Sequence, residues 1–199
     1  MSLRAIVGAF LVSLLLLGCR PSADLPRLAQ APAFSLLDQD GRETSRKTFA
    51  GKVWIANFIF THCPDVCPIH TGMLSGVRTE LRPVRADVRF VSFSVDPEHD
   101  TPAVLKKFAI EHNADQPDWR FLTGPVEQLK RVVVQGFKQA IDPQAAQPGK
   151  AYTILHGSHF VLVDRDLMIR GYYRSDAEGV LLLQRDARIL VAEKPKAKP

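Results

Sequence analysis

A close pair of cysteines between an apolar strand and an amphipathic helix constrains this chain more than any other feature. Residues 53–60 are almost continuously apolar, which is typical of a strand buried on both faces of a sheet. Cys63 and Cys67 follow directly, and apolar residues then recur at helical spacing over residues 73–81. The sequence therefore predicts a strand, a cysteine-bearing turn and a helix that ends before Pro83. Ligands gather at such strand ends in open α/β sheets.

The other elements predicted along the chain alternate between strands and helices. Further strands are predicted over residues 34–37, 88–95, 160–163 and 168–173, the last two joined in a hairpin by a turn at 164–166. Further helices are predicted after the Thr101-Pro102 cap, over residues 126–137 and over residues 180–190, and a polar loop contains Pro143, Pro148 and Gly149. This order predicts an α/β domain with a central mixed sheet flanked by helices and a C-terminal β-hairpin, and it resembles the thioredoxin-like fold.

The N-terminus has the layout of a secretory signal. Arg4 precedes an apolar stretch over residues 5–17, which is short for a membrane-spanning helix, and Gly18-Cys19 follows. Residues 16–19 resemble a bacterial lipobox, in which the cysteine carries the lipid of the mature protein. We expect lipidation at Cys19, with an uncleaved N-terminal membrane anchor as the alternative. Either arrangement puts the protein in the cell envelope, with its domain facing the periplasm or the exterior.

Composition favours a single globular domain. The chain has 199 residues, of which 46% are apolar and 24% are charged, enough for one core with short terminal extensions. We expect a signal or anchor over residues 1–19, a tether over 20–32, the domain over 33–192 and a basic tail over 193–199. The net charge of +5 is modest and partly due to that tail, and no sequence motif indicates nucleic-acid binding.

The cysteine count favours chemistry over structural bridging. Cys19 belongs to the export segment, so Cys63 and Cys67 form an isolated pair in an oxidising compartment. A bridge across so short a loop would remove little entropy from the unfolded chain. At this spacing the two sulfurs can form a disulfide or hold one metal ion, and both possibilities stay open. Two thiolates and one imidazole would suit copper, because structural zinc and iron–sulfur sites typically use four protein ligands.

Six histidines compete for the third ligand position, namely His62, His70, His99, His112, His156 and His159. His99 lies in an acidic loop and His112 at a predicted helix C-terminus, so both are expected to be structural. His62 is expected to point away from the cysteine beside it. His70 follows Cys67 by three residues and could share its helical face.

His156 and His159 are the strongest candidates from position alone. They precede and open the strand predicted at 160–163, which should lie beside the cysteine-bearing strand. Residues three apart face opposite sides of an extended segment. Only one of these two histidines can therefore face the cysteines.

Three motifs occur in order along the chain: Cys63-Pro64-Asp65-Val66-Cys67-Pro68, the segment Ser94–Pro102, and a histidine ahead of an apolar strand in the segment His156–Asp164. Together they resemble the Sco/SenC family of copper chaperones, over about residues 34–190. The resemblance implies a thioredoxin-like domain that binds one copper ion per chain through Cys63, Cys67 and His156, with His159 as the alternative histidine. It also implies that Asp96 tunes the ligands or a docking surface, the other interpretation being that Asp96 caps the Asp-Pro turn.

The resemblance implies delivery of copper to the dinuclear copper centre of cytochrome c oxidase, or reduction of that centre's cysteines. The expected partners are the copper-receiving oxidase subunit or another copper chaperone, together with the membrane at the N-terminal anchor, and the protein is expected to be a monomer. The competing hypothesis is a thiol-disulfide oxidoreductase with Cys63 and Cys67 as its redox pair. The wider cysteine spacing and the absence of a proline before the strand after His156 favour a non-enzymatic metallochaperone.

Overall fold

The computed structural model describes residues 24–62, 66–139, 141–144, 153–156 and 159–193. The strands in this part of the chain are β1 (Ala29–Gln30), β2 (Ser35–Asp38), β3 (Glu43–Ser45), β4 (Val53–Ile59), β5 (Val88–Ser94), β6 (Trp119–Thr123), β7 (Ile141–Gln144), β8 (Thr153–His156), β9 (His159–Val163) and β10 (Met168–Arg174). The α-helices are α1 (Val66–Glu80), α2 (Pro102–Glu111), α3 (Val126–Lys130) and α4 (Ala177–Ala192). Short 3₁₀ helices cover Arg46–Phe49 and Arg82–Asp87, and a π-helix covers Arg131–Gly136.

Within the described residues, eight strands form one mixed sheet in the order β1-β10-β9-β4-β5-β6-β2-β3. Strands β4, β5 and β6 are parallel, and β9 runs antiparallel to β4. Strand β10 returns antiparallel to β9, so the predicted C-terminal hairpin is confirmed. The α/β class and the flanked mixed sheet agree with the sequence-based expectation.

Strand β4 is the centre of the core. All seven of its residues are buried, because β5 pairs on one side, β9 pairs on the other and helix α4 packs against the strand. Alternation sends Trp54 and Phe58 to one face, where they contact Phe137. The other face of the sheet carries a second aromatic cluster in which Trp119 stacks on Phe121. Burial of each such side chain contributes roughly 1.5–3 kcal/mol to the stability of the fold. Strand β4 is therefore a rigid base for the segment that follows it.

The predicted helix cap at Thr101 is present. Its hydroxyl accepts a hydrogen bond from the Val104 amide, and Pro102 occupies the first helical position. The predicted turn at 164–166 is also present, and the Asp164 carboxylate accepts from the Asp166 and Met168 amides to fix it.

Three segments differ from the sequence-based expectation. The predicted tether includes strand β1, which pairs with β10 and is followed by the fully buried Ala31. The polar loop predicted after residue 137 contains strands β7 and β8, which pair with each other and not with the main sheet. The predicted helix over 126–137 changes to a π-helix after Lys130.

The parallel strands give the sheet two distinct ends. We call the end that holds the last residues of β4 and β5, the start of α1 and the start of β9 the carboxyl pole. The amino pole holds the first residues of β4, β5 and β6, the 3₁₀ helix Arg82–Asp87, the β9–β10 turn and the end of α4. Seven residues of β4 separate the poles by about 20 Å.

Candidate metal centre

The carboxyl pole holds the cysteine-bearing segment, as the sequence predicts. Cys63 lies outside the described residues, and the described part of Cys67 is its backbone, at the second position of α1. The helix begins at Val66, so Pro68 occupies its third position. Free N–H groups in the first turn of a helix stabilise an anion, so position 67 suits a thiolate.

The two candidate histidines belong to different sheets. His156 is the last residue of β8 and pairs with Ile141, whereas His159 is the first residue of β9 and pairs with Arg174. The alternation argument treated residues 156–159 as one extended segment, and residues 157 and 158 lie outside the described residues. Strand β9 does lie beside β4, as expected, so His159 starts its strand at the carboxyl pole with a partly buried side chain.

A buried carboxylate anchors the residues that precede Cys63. Asp100 is fully buried, and its Oδ1 accepts from the Thr61 hydroxyl (2.6 Å) and the Thr61 amide (3.2 Å). Its Oδ2 accepts from the Ser94 hydroxyl (2.6 Å) at the end of β5. Asp100 therefore ties the loop after β5 to the chain two residues before Cys63. Sequence reasoning placed Asp100 within a motif but gave it no role, because its partners are distant in sequence.

Burial raises the pKa of Asp100 above its usual value of 3.8, because removal from water disfavours the charged form. The hydrogen bonds from Ser94 and Thr61 oppose that effect, and the negative charge of the nearby Asp96 adds to it. The negative charge of Asp100 is thus unfavourable in its buried position, and three donated hydrogen bonds stabilise it.

Asp96 has a direct partner that the sequence did not indicate. Its carboxylate is buried and lies 3.0 Å from Nδ1 of His99. This hydrogen bond, followed by the charge of Asp96, raises the pKa of the exposed His99 imidazole. The Asp96 carbonyl also accepts from the His99 and Asp100 amides, as expected of a residue that fixes an Asp-Pro turn.

His62 lies against this pair. Its exposed ring contacts the His99 ring edge-on, with 5.2 Å between ring centroids. The prediction that His99 is structural therefore needs refinement, since His99 bridges the Asp96 loop to the residue adjacent to Cys63. Among the described residues, no group of three or more His, Cys, Asp or Glu side chains is arranged to hold a metal ion.

The other two histidines have structural surroundings. His70 is largely buried in the second turn of α1, where its Nε2 is hydrogen-bonded to the Ser175 hydroxyl (2.8 Å) and its ring contacts Phe160. It thereby links the cysteine-bearing helix to the β10–α4 connection. His112 caps the end of α2 with its ring 4.3 Å from that of Phe108, as its predicted position indicated.

Comparison with known proteins identifies the family. The family model described as SCO1/SenC matches residues 23–190. The chain belongs to the SCO1/SenC family. A SCO1 protein homolog of Bacillus subtilis is 36% identical over 148 residues, which cover 74% of this chain and 72% of that protein.

Solved structures of Sco proteins share the fold. A SCO1/SenC family lipoprotein from Bacillus anthracis aligns with a TM-score of 0.74 and 30% identity, over 84% of this chain and 98% of that one. BsSco, described as having a disulfide switch and as a member of the Sco family of cytochrome c oxidase assembly proteins, aligns with a TM-score of 0.72 and 30% identity, over 86% and 98%. ScoI of Bradyrhizobium japonicum, solved with copper bound, aligns with a TM-score of 0.68 and 29% identity, over 79% and 99%.

These findings confirm the thioredoxin-like fold and the family inferred from the three motifs, and they show that Sco homologues bind copper. No helix in the described part of the chain is long and apolar enough to cross a membrane.

Proposed function

We propose that this protein binds one copper ion through Cys63, Cys67 and His156 and delivers it to the dinuclear copper centre of cytochrome c oxidase. The observation that carries the proposal is the position of Cys67 in the first turn of α1, at the carboxyl end of the central strand. The copper-bound Sco homologue and the assembly function given for BsSco support it.

Ligand chemistry favours copper at this position. Thiolates are soft ligands that select Cu(I), whereas the harder imidazole nitrogen adds affinity for Cu(II). A site with three protein ligands leaves a coordination position to which an incoming ligand can bind. Such a site suits transfer of the ion to a partner by ligand exchange, whereas a closed four-ligand site would retain it.

The proposed cysteine and histidine ligands are held by different parts of the fold, and this difference suits release of the copper ion. The cysteine segment is held on both sides, by the Thr61–Asp100 hydrogen bonds before Cys63 and by α1 after Cys67. His156 belongs to the separate β7–β8 pair, whose described hydrogen bonding is outside the main sheet. A two-stranded pair contributes little stability of its own. We infer that the histidine can leave the ion without disturbing the core.

A second function at the same pair of cysteines is supported by the disulfide switch described for BsSco. In this reaction the Cys63 and Cys67 thiols would be oxidised to a disulfide while a disulfide of the oxidase subunit is reduced to two thiols. Copper delivery and disulfide reduction use the same two sulfurs, but the first transfers a copper ion and the second transfers two electrons and two protons.

We further propose that the domain is attached to the membrane through a lipid on Cys19 and faces the periplasm or the exterior. The lipoprotein from Bacillus anthracis supports this assignment. The sequence order of a charged residue, an apolar stretch and Gly18-Cys19 supports it independently.

Copper analysis of the reduced, full-length protein tests the main proposal. We expect about one copper ion per chain, as three ligands in one site require. The matched control is the protein in which both thiols have first been oxidised to a disulfide, which should bind far less Cu(I). Reduced protein that purifies without stoichiometric copper, but reduces the disulfide of an oxidase-subunit peptide, would leave the reductase function as the correct one.

A further inference from the structure

The amino pole carries an exposed group of arginines remote from the copper site. Arg82 and Arg85 lie on the 3₁₀ helix between α1 and β5, and Arg188 lies near the end of α4. All three side chains are exposed. Arg188 donates to the Glu80 carbonyl (2.8 Å), so the ends of α1 and α4 bring the three arginines to the same side.

Further cations of the amino pole surround the Asp87 carboxylate. Asp87 accepts a hydrogen bond from the Lys52 ammonium (3.1 Å), which lowers the pKa of the Asp87 carboxyl. The positive charges of Arg165 and Arg89 lower it further. One carboxylate is therefore opposed by three cations, and it does not cancel the charge of the pole.

The remaining acids of the pole are mostly held in ion pairs. Asp118 pairs with Arg78 (2.9 Å) and more distantly with Arg85 (3.8 Å), and Asp164 pairs with Arg170 (2.9 Å). Lys194, Lys196 and Lys198 add positive charge after Glu193 in the sequence.

The N-terminal segment is fixed to the same pole. The Arg170 guanidinium is almost completely buried and donates to the carbonyls of Leu25 (2.6 Å) and Pro26 (3.0 Å). The same group pairs with Glu193, the residue directly after α4. The chain therefore joins the domain at the amino pole, the end that also carries the exposed arginines.

The distance to the membrane follows from the chain length. Five residue steps separate Cys19 from Asp24, and a fully extended chain covers at most about 3.6 Å per residue, or about 18 Å in all. A domain attached through a lipid on Cys19 thus holds its amino pole within about two Debye lengths of the headgroups at physiological salt.

We propose that the amino pole is a docking surface for anionic phospholipid headgroups, which contact Arg82, Arg85 and Arg188. The inference rests on the proposed lipid attachment and extends it, because it assigns an orientation as well as an anchor. Docked in this way, the domain directs its carboxyl pole, with the copper site, away from the bilayer. The carboxyl pole carries the acidic residues Asp96 and Glu98, whose negative charge disfavours contact with an anionic surface.

Hydrogen–deuterium exchange on the full-length protein in lipid nanodiscs tests this orientation. One nanodisc preparation contains only phosphatidylcholine, and the other contains phosphatidylglycerol as well. We expect the backbone amides of Arg82–Asp87 to exchange about fivefold more slowly with the anionic lipid, the factor that corresponds to roughly one arginine contact at a charged surface. The protection should disappear in about 1 M salt, where the Debye length falls to about 3 Å.

Charge reversal supplies the matched control. Arg82→Glu, Arg85→Glu and Arg188→Glu together should remove the lipid-dependent protection. Lys107→Glu, Lys130→Glu and Arg131→Glu, which lie on α2, α3 and the following π-helix, change the net charge equally and should leave it intact. Copper content is measured on each variant, so that a failure of the copper site is recognised separately.

Several outcomes would overturn the proposal. Equal exchange of residues 82–87 in both lipids would do so, as would protection that survives the arginine reversals or appears at residues 94–102 instead. Protection that requires an added acidic protein and is absent with pure anionic lipid would reassign the surface to a protein partner. If the protein does not remain with phosphatidylcholine nanodiscs, the proposed lipid anchor is wrong. Cosedimentation with anionic vesicles then tests docking by itself. Binding that is lost on arginine reversal supports docking, and absence of binding refutes it.

Discussion

The two poles of the sheet are stabilised by different interactions. At the carboxyl pole, the buried Asp100 accepts hydrogen bonds from the neutral donors of Thr61 and Ser94. At the amino pole, the buried Arg170 is neutralised by Asp164 and Glu193. The carboxyl pole is thus positioned by neutral donors around a buried carboxylate whose charge is costly, whereas the amino pole is closed by ion pairs. We propose copper binding at the first pole and membrane attachment at the second.

The largest effect that distinguishes the poles is expected from the cysteines. Cys63→Ser or Cys67→Ser should abolish tight copper binding while the fold is retained, because a hydroxyl is a poor ligand for Cu(I). Metal analysis and circular dichroism measure the two halves of this prediction. A serine variant that still retains a full equivalent of copper would exclude the two-thiolate site.

The amino pole should show the opposite response. Arg170→Met removes the closest cation of the buried Asp164 carboxylate and leaves only the more distant Arg27 (3.7 Å) among the described residues. Breaking such a buried pair costs about 3–5 kcal/mol in the free energy of unfolding. Chemical denaturation measures this loss. The copper content of the folded protein should not change, and a variant that is stable but deficient in copper would show that the poles are coupled.

Asp100→Ala should affect both stability and the site. It leaves the Thr61 amide without its acceptor, which costs about 1–3 kcal/mol. Because Thr61 lies two residues before Cys63, we also expect weaker copper binding. Ser94→Ala removes one donor of the same network and is the milder comparison. Asp100→Ala with normal copper affinity would limit the network to a structural function.

The raised pKa of Asp100 predicts a sign for the pH dependence. The folded state binds this proton more tightly than the unfolded state, so the contribution of Asp100 to stability becomes less favourable as the pH rises from 3.8 through the raised pKa. Asp100→Asn removes that titration. The unfolding free energy of Asp100→Asn should therefore increase relative to that of the wild type as the pH rises over this range. A difference between the two proteins that does not vary with pH would contradict a raised pKa for Asp100.

His156→Ala should have a smaller and more selective effect. Two thiolates can hold Cu(I) in linear geometry, whereas Cu(II) prefers additional nitrogen ligands. We therefore expect loss of the Cu(II) absorption with Cu(I) binding largely retained. His159→Ala is the parallel control, and the reverse pattern between the two variants would make His159 the ligand.

The smallest effect is expected at the Asp96–His99 pair. Asp96→Asn removes the charged acceptor that raises the pKa of His99, so the imidazole should titrate closer to its ordinary value of 6.5. NMR titration of the ring protons measures this shift. Because His99 is exposed, we expect little change in stability, and an unchanged titration would mean that Asp96 acts elsewhere.

The sequence alone determined the elements whose signals are local. The apolar run of β4, the helical spacing of α1 and the Thr101-Pro102 cap each arise from residues near one another, and the structure has each of them. The family could be inferred from three motifs because each motif is also made of residues that are close together in the sequence.

Only the tertiary structure decided which distant residues meet. Strand β1 forms by pairing with β10, some 140 residues further along the chain, and β7 and β8 pair with each other. The Thr61–Asp100 hydrogen bonds, the split of His156 and His159 between two sheets, and the clamping of Leu25 by Arg170 are of the same kind. Periodicity reports which face of an element is apolar, but side-chain partners are fixed only when the sheet order and register bring them within hydrogen-bonding distance.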